Sequence, residues 1–224
     1  MESYDQVPFG AAEFAANPEP RCPCLLLLDT SASMRGNAIA ELNDGLVAFQ
    51  DELAADELAA KRVEVAIVTF GPARAESAFE TAGTFLPPTL EASGATPMGE
   101  AIEIGLSMIE DRKRDYKEGG VTYYRPWVFL ITDGAPTDDW SAAASAIRRG
   151  ESDNAFAFFA VAVENANMEI LSQIAHREPL RLDGLRFRDL FKWLSASVKS
   201  VSHSRPGDEV ALDNPAAPGG WASV

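Results

Sequence analysis

Cysteine and histidine are scarce in this chain, at two residues each among 224. Cys22 and Cys24 stand on either side of Pro23. A disulfide-stapled domain would need more cysteines, and residues one position apart are poorly placed to bridge each other. Structural zinc takes four ligands, and only His176 and His203 could be added to the two thiols. The cysteines therefore read as small apolar residues at the start of a buried strand. Positive charge is short as well: 19 basic side chains face 34 acidic ones, for a net charge of -15. Such a surface repels phosphate backbones and anionic lipid, and no local basic patch offsets it, which argues against nucleic acid as a partner. No apolar run reaches the ~18 residues of a membrane span. The segment Met1–Pro18 carries Glu2, Asp5 and Glu13 and lacks an apolar core, so it does not read as a signal peptide. A reducing cytoplasm is the expected location. The Gly-x-x-x-x-Gly-Lys-Ser/Thr, Gly-x-Gly-x-x-Gly and Gly-x-Ser-x-Gly loops are missing too.

What is present is enough apolar content, 46%, to fill a core. Domains usually run to roughly 100–200 residues, so the length suits one large domain with short extensions. We read residues 1–20 as a polar lead-in, 21–204 as the folded domain and 205–224 as a Pro/Gly-rich tail, draped over the surface or mobile. Cys24–Leu28 is a continuous apolar run closed by Asp29, as in a strand buried on both faces. From Asn37, Ile39, Leu42, Leu46, Phe49 and Leu53 recur at helical steps. Val63–Phe70 is strand-like and ends at Gly71-Pro72. A weaker strand is expected around 77–85 and a helix from Pro97. Trp127–Thr132 reads as a strand, 140–149 as a helix, 155–163 as a strand and 168–175 as a helix. Phe187, Leu190, Phe191, Leu194, Val198 and Val201 mark one face of a terminal helix. This alternation predicts a doubly wound α/β domain, a mainly parallel central sheet with helices on both faces. In such sheets ligands bind beyond the carboxyl ends of the strands, near a topological switch point.

Three loops qualify. Asp29-Thr-Ser31-Ala-Ser33 follows the first strand, Thr132-Asp133-Gly134 follows a later one, and Ser93-Gly-Ala-Thr96-Pro97 precedes the second long helix. Together they offer two carboxylates and three hydroxyls with no basic residue within the motifs. Oxygen-only donors suit a hard octahedral cation, Mg²⁺ or Mn²⁺, better than zinc. Quieter roles exist for each: Ser31 or Ser33 could cap the first helix, Thr96 the second, and Asp133-Gly134 could be a plain turn. Their joint occurrence at three ordered segment ends favours metal binding.

The set Asp-x-Ser-x-Ser, a Thr before a helix, and Thr-Asp-Gly after an apolar strand resembles the von Willebrand factor type A (vWA) domain and its metal-ion-dependent adhesion site, MIDAS. The resemblance runs from about Cys22 to Val201. It implies that Asp29, Ser31, Ser33, Thr96 and Asp133 coordinate the metal, and that a partner protein supplies an Asp or Glu to the open position. One departure is Ala32, where many relatives have Gly; alanine lacks glycine's freedom at positive φ. Arg21–Asp29, Phe187–Ser195 and Pro206–Leu212 are similar to bacterial TerY-like members, associated with tellurium resistance and stress response. That resemblance implies work beside a protein kinase and a PP2C-type phosphatase. The zinc-binding extension of some TerY-like proteins has no counterpart here.

In the vWA family the metal is a docking point, so the expected function is non-enzymatic. Asp138 and Asp139 could tune partner selectivity or complement a helix start. His176 and His203 read as surface or packing residues. Two other classes stay open. A metal-dependent phosphatase-like hydrolase could use Asp29 as nucleophile, although such chemistry wants an acid two residues on, where Ser31 stands. A metal-independent scaffold is the third.

Overall fold

The computed structural model describes residue 14 and residues 16–164, 166–217 and 220–223. The acidic residues Glu2, Asp5 and Glu13, which make Met1–Pro18 unlike a signal peptide, lie outside the described residues. The strands are β1 (Cys22–Asp29), β2 (Val63–Phe70), β3 (Arg74–Thr81), β4 (Trp127–Thr132), β5 (Ala157–Ala162), β6 (Leu180–Leu182) and β7 (Ala222–Ser223). The α-helices are α1 (Asn37–Ala54), the single turn α2 (Ala59–Arg62), α3 (Met98–Glu118), α4 (Ser141–Ser152), α5 (Met168–Ile174) and α6 (Phe187–His203), with a 3₁₀ turn at Ala32–Met34 after β1.

The strands form one sheet in the order β3-β2-β1-β4-β5-β6-β7. Every pairing from β2 through β6 is parallel, and the edge strands β3 and β7 run antiparallel. This is the expected doubly wound α/β fold. The chain leaves β1 toward β2 and β3, then returns across β1 to lay down β4. The β1/β4 junction is thus the switch point, and Asp29 and Asp133 stand at its carboxyl end.

The four consecutive leucines of β1 are fully buried because both faces of the strand are covered. Leu26 and Leu28 pack with Leu42, Leu46 and Phe49 of α1 and Phe187, Leu190 and Phe191 of α6. Leu25 and Leu27 face Ile102 and Ile109 of α3. Helix α3 comes close because Gly105 lies over β1: a Cβ there would stand 2.7 Å from Leu27 Cδ2. Period-two alternation thus divides one apolar run between two cores.

Strand β3 begins at Arg74, earlier than the expected 77–85. It is a half-exposed edge with irregular register against β2, so its polar sequence carries little periodicity. Much of the tail up to residue 217 is exposed, but Leu212, Trp221 and Ala222 pack against the domain. Trp193 Nε1 donates to Asp213 O at 2.8 Å, Trp221 is buried against Trp193, and Ala222–Ser223 close the β6 edge.

Beneath the amino ends of β1 and β2 lies a buried ionic cluster. Glu64, wholly buried, accepts from Arg112 Nε and Nη2, both at 2.8 Å, and from the Tyr116 hydroxyl at 2.5 Å. Arg21 Nε lies 2.9 Å from Glu64 Oε1 without hydrogen-bond alignment. Burial, and then the Glu64 charge, push the Tyr116 phenol well above its ordinary range, so it stays a donor. Phe14, at the end of the lead-in, lies under both guanidinium groups. Cys22 and Cys24 are buried free thiols; burial pushes Cys22 up to about 12 and Cys24 higher still, so neither is a nucleophile near neutral pH. No helix among the described residues is long and apolar enough to cross a membrane.

Candidate metal centre

All five sequence-derived positions meet at the carboxyl rim of β1 and β4. The Asp29 side chain is fully buried at the end of β1. Its Oδ1 accepts from Ser31 N–H at 2.8 Å, folding the loop back over the strand end, and its Oδ2 accepts from the Thr132 hydroxyl at 2.6 Å. The Ser31 and Ser33 hydroxyls are 2.9 Å apart, and Ser33 Oγ donates to Asp133 Oδ1 at 2.7 Å. A chain of oxygens therefore links the β1 loop to the β4 loop. Thr96 reaches the same place from the α3 side: a Cβ on Gly134 would stand 3.6 Å from Thr96 Oγ1 and 3.9 Å from Asp29 Oδ2. Glycine at 134 keeps the space between those two oxygens clear.

The quieter capping roles are not realised. Neither Ser31 nor Ser33 caps the 3₁₀ turn or α1, and Thr96 does not cap α3. The Ser31 and Ser33 hydroxyls turn to each other and to Asp133, while Thr96 is held through its backbone. Its N–H donates to Thr137 Oγ1 at 3.1 Å, and its carbonyl accepts from Met98 N–H at 2.8 Å and Thr137 N–H at 2.9 Å. Ala32 is not in a left-handed conformation, since among the described residues the positive-φ non-glycine residues are Asn154 and Glu164, so the loop closes without a glycine there.

Electrostatically the centre is unbalanced. Neither Asp29 nor Asp133 makes an ion pair among the described residues. Burial pushes the Asp29 carboxyl above the usual range. Hydrogen bonds from Ser31 and Thr132 pull it back, and the Asp133 charge adds to the upward push. A buried carboxylate facing a second carboxylate and a set of hydroxyls is a site that a cation would complete. Among the described residues no three His, Cys, Asp or Glu side chains gather as a metal cluster, so the donor character is that of hydroxyl and carboxylate oxygen, without sulfur or imidazole.

Two neighbouring residues, Thr132 and Thr137, escaped the sequence reading of roles, and Asp138 serves the start of a different helix from the expected one. Thr132 stood in the Thr-Asp-Gly motif, and its function is to orient Asp29. Asp138 caps α3 from another loop, accepting from Gly99 N–H at 3.1 Å and Glu100 N–H at 2.8 Å. Only Asp139 serves its own helix start, accepting from Ser141 N–H and Oγ, which holds its carboxyl below the usual range. Thr137 fixes Thr96. The acid-rich Asp138-Asp139 pair signalled a cap, yet nothing local pointed to a helix 39 positions away. Of the two histidines, His203 pairs with Asp56 at 3.0 Å, remote from the rim.

Residues 25–188 match the family model of the von Willebrand factor type A domain. No curated protein matches the chain. Among solved structures, the fold is similar to the pilus adhesin SpaC of Lactobacillus rhamnosus GG in its open conformation, with 13% identity and a TM-score of 0.65 over 83% of this chain and 31% of that one. It is similar to the vWF domain of the type V pili tip protein Mfa5 of Porphyromonas gingivalis, with 10% identity and a TM-score of 0.58 over 86% of this chain and 99% of that one. It is also similar to proximal thread matrix protein 1 of the mussel byssus, described with a zinc-occupied MIDAS motif, at 14% identity and a TM-score of 0.53 over 82% of this chain and 49% of that one. The chain thus spans less than half the length of the SpaC and mussel proteins, and at these identities the likeness is one of fold. The family match covers most of the sheet, from β1 into α6: the chain belongs to the von Willebrand factor type A domain family.

Proposed function

We propose that this protein is a metal-dependent interaction module. Asp29, Ser31, Ser33, Thr96 and Asp133 would hold one divalent cation, and an Asp or Glu of a partner protein would complete its coordination. The observation that carries this reading is the fully buried Asp29, which has only neutral hydrogen-bond donors and a second carboxylate beside it. The bound ion would supply a local positive charge at the rim of a protein of net charge -15. The chain's own residues do the rest. Thr132 and Ser31 fix the Asp29 carboxylate, Ser33 ties Asp133 to the β1 loop, and the Thr96 backbone is clamped by Thr137. All-oxygen donors favour Mg²⁺ or Mn²⁺; the zinc-bearing mussel protein makes Zn²⁺ the natural competitor to include in a test.

The finer placement follows the TerY-like resemblance. Its three segments are β1, the first half of α6 and the tail stretch ending at Leu212, which packs against the core. It supports a cytoplasmic role in tellurite-resistance or stress signalling, beside a kinase and a PP2C-type phosphatase. Purification of the native complex followed by mass spectrometry tests that placement, and recovery of neither enzyme overturns it.

The metal reading is tested by titrating Mg²⁺, Mn²⁺ and Zn²⁺ into wild type and Asp133→Ala, with calorimetry and thermal unfolding as readouts. Saturable stabilisation is expected of wild type alone, about 2.7 kcal/mol at a hundredfold excess over Kd. A silent wild type overturns the metal centre and leaves a metal-independent scaffold. Metal-dependent turnover of a phosphate ester would instead establish an enzyme.

A further inference from the structure

A cleft of about 250 Å³ opens beside the proposed metal centre, between the β2–β3 turn and the loop segment 89–93. Thr30, in its wall, stands between Asp29 and Ser31, and Ala32 N–H donates to Gly94 O at 3.1 Å, so the cleft borders the loop that carries three of the proposed ligands. The floor is closely knit. Ser93 N–H donates to Thr30 O at 2.7 Å, Thr30 N–H to Phe70 O at 3.3 Å, and the Ser93 hydroxyl to Gly71 O at 2.9 Å. Gly71, at φ +153°, lies so close that a Cβ would come within 2.5 Å of Ser93 O and 2.6 Å of Thr30 O. Only glycine permits that approach. The volume is below the ~300–1,000 Å³ of small-molecule sites and suits a single long side chain.

Charge decides which side chain. The ionisable residues lining the cleft are Arg74, Glu76 and Glu91. Arg74 Nε is held by Glu76 at 2.7 Å, so these two cancel. Glu91 is exposed and makes no ion pair among the described residues. The lining is therefore left with one negative charge, inside the field of a protein of -15. An acidic neighbour of the metal-bound residue would meet Glu91 and that field, whereas a basic neighbour meets complementary charge at both ranges. Because Thr30 adjoins two of the proposed ligands, the cleft lies within reach of a residue next to the one on the metal.

We propose that this cleft receives a lysine or arginine adjacent to the partner's metal-binding acid, so that the recognised feature is an acid–base pair in an exposed segment of a protein. This rests on the metal-centre reading and adds the determinant that selects among acidic partners.

The test uses the full chain saturated with Mn²⁺ and short synthetic peptides. Each peptide carries one central Asp in an alanine–glycine background, with Lys, Ala or Glu placed one to three positions away. Lysine at the preferred position is expected to tighten binding about two- to five-fold over alanine, the range of an exposed ion pair, and glutamate to weaken it. Glu91→Gln should erase the lysine preference and Glu91→Lys should invert it, both with an unchanged metal titration. Equal affinity for lysine and alanine peptides overturns the proposal and leaves the metal centre standing. So does tighter binding of the glutamate peptides, which would make Arg74 the reading residue. Capture of no peptide by metal-loaded protein overturns the docking reading and this proposal together. A silent metal titration, seen before any peptide is added, overturns the centre itself.

Discussion

Two carboxylates, Asp29 and Glu64, are each fully buried in the same sheet, about 20 Å apart along neighbouring strands at ~3.3 Å per residue. Glu64 is surrounded by two guanidinium groups and a phenol; Asp29 has a hydroxyl, a backbone N–H and another acid nearby. Burying an ion costs several kcal/mol unless compensated. At the amino end of the sheet the compensation is built into the chain, and the result is a structural joint between β1, β2 and α3. At the carboxyl end the chain leaves it out, and the result is a place that an outside cation would complete. Burial alone therefore does not distinguish a structural acid from a binding acid; the charge that the fold sets opposite it does.

Substitutions can break or sharpen this contrast. The largest effect is expected of Glu64→Gln. It removes the buried negative charge that two arginines face and should cost about 3–5 kcal/mol in urea unfolding, equally with and without divalent metal. Asp29→Asn should do the reverse. Without metal its stability should lie within about 1 kcal/mol of wild type or above it, because a poorly compensated buried charge is gone, and added Mg²⁺ or Mn²⁺ should give no thermal shift. A loss as large as that of Glu64→Gln would erase the distinction. Asp138 is an intermediate case, compensated by backbone N–H groups at the start of α3. Asp138→Ala should cost about 1 kcal/mol by denaturation, the usual worth of a helix cap.

Asp56 marks the weak end of the series. A hydrogen bond from Ala59 N–H, with His203 alongside, holds its carboxyl below the usual range. Its folded value is thus lower than its unfolded value of about 3.9. The stabilisation is complete above that unfolded value and is lost as pH falls through the folded one. Wild type should lose slightly more stability than Asp56→Asn between pH 5 and 3, and parallel profiles would show that this acid contributes nothing.

The rim residues were legible because both signals are local. Apolar runs ended at Asp29 and Thr132, and hydroxyls stood at fixed offsets from those ends. The compensating groups were not legible because they come from far along the chain. Glu64 meets Arg112 across 48 positions, and Asp138 meets Glu100 across 38. One trace did exist, a lone acid inside the apolar stretch Val63–Phe70, which demands a buried partner without naming it. Strand β7 had no readable signal, since two residues following a Pro/Gly-rich stretch have no period. The edge strand β3 was displaced for a related reason: half exposed and irregularly paired, it does not alternate cleanly.

The bond between Ser33 and Asp133 spans 100 positions of sequence. Between its two ends lie α1, α2, β2, β3, α3 and β4, and it forms where the ends of the paired strands β1 and β4 come together. An unfolded or half-folded chain keeps both side chains but separates them by a long flexible loop, whose closure is entropically opposed. The rim is therefore assembled by the tertiary fold, not by any local stretch of sequence. A partner that docks there would distinguish native copies from misfolded ones, so that recognition would also act as quality control on the protein being recognised.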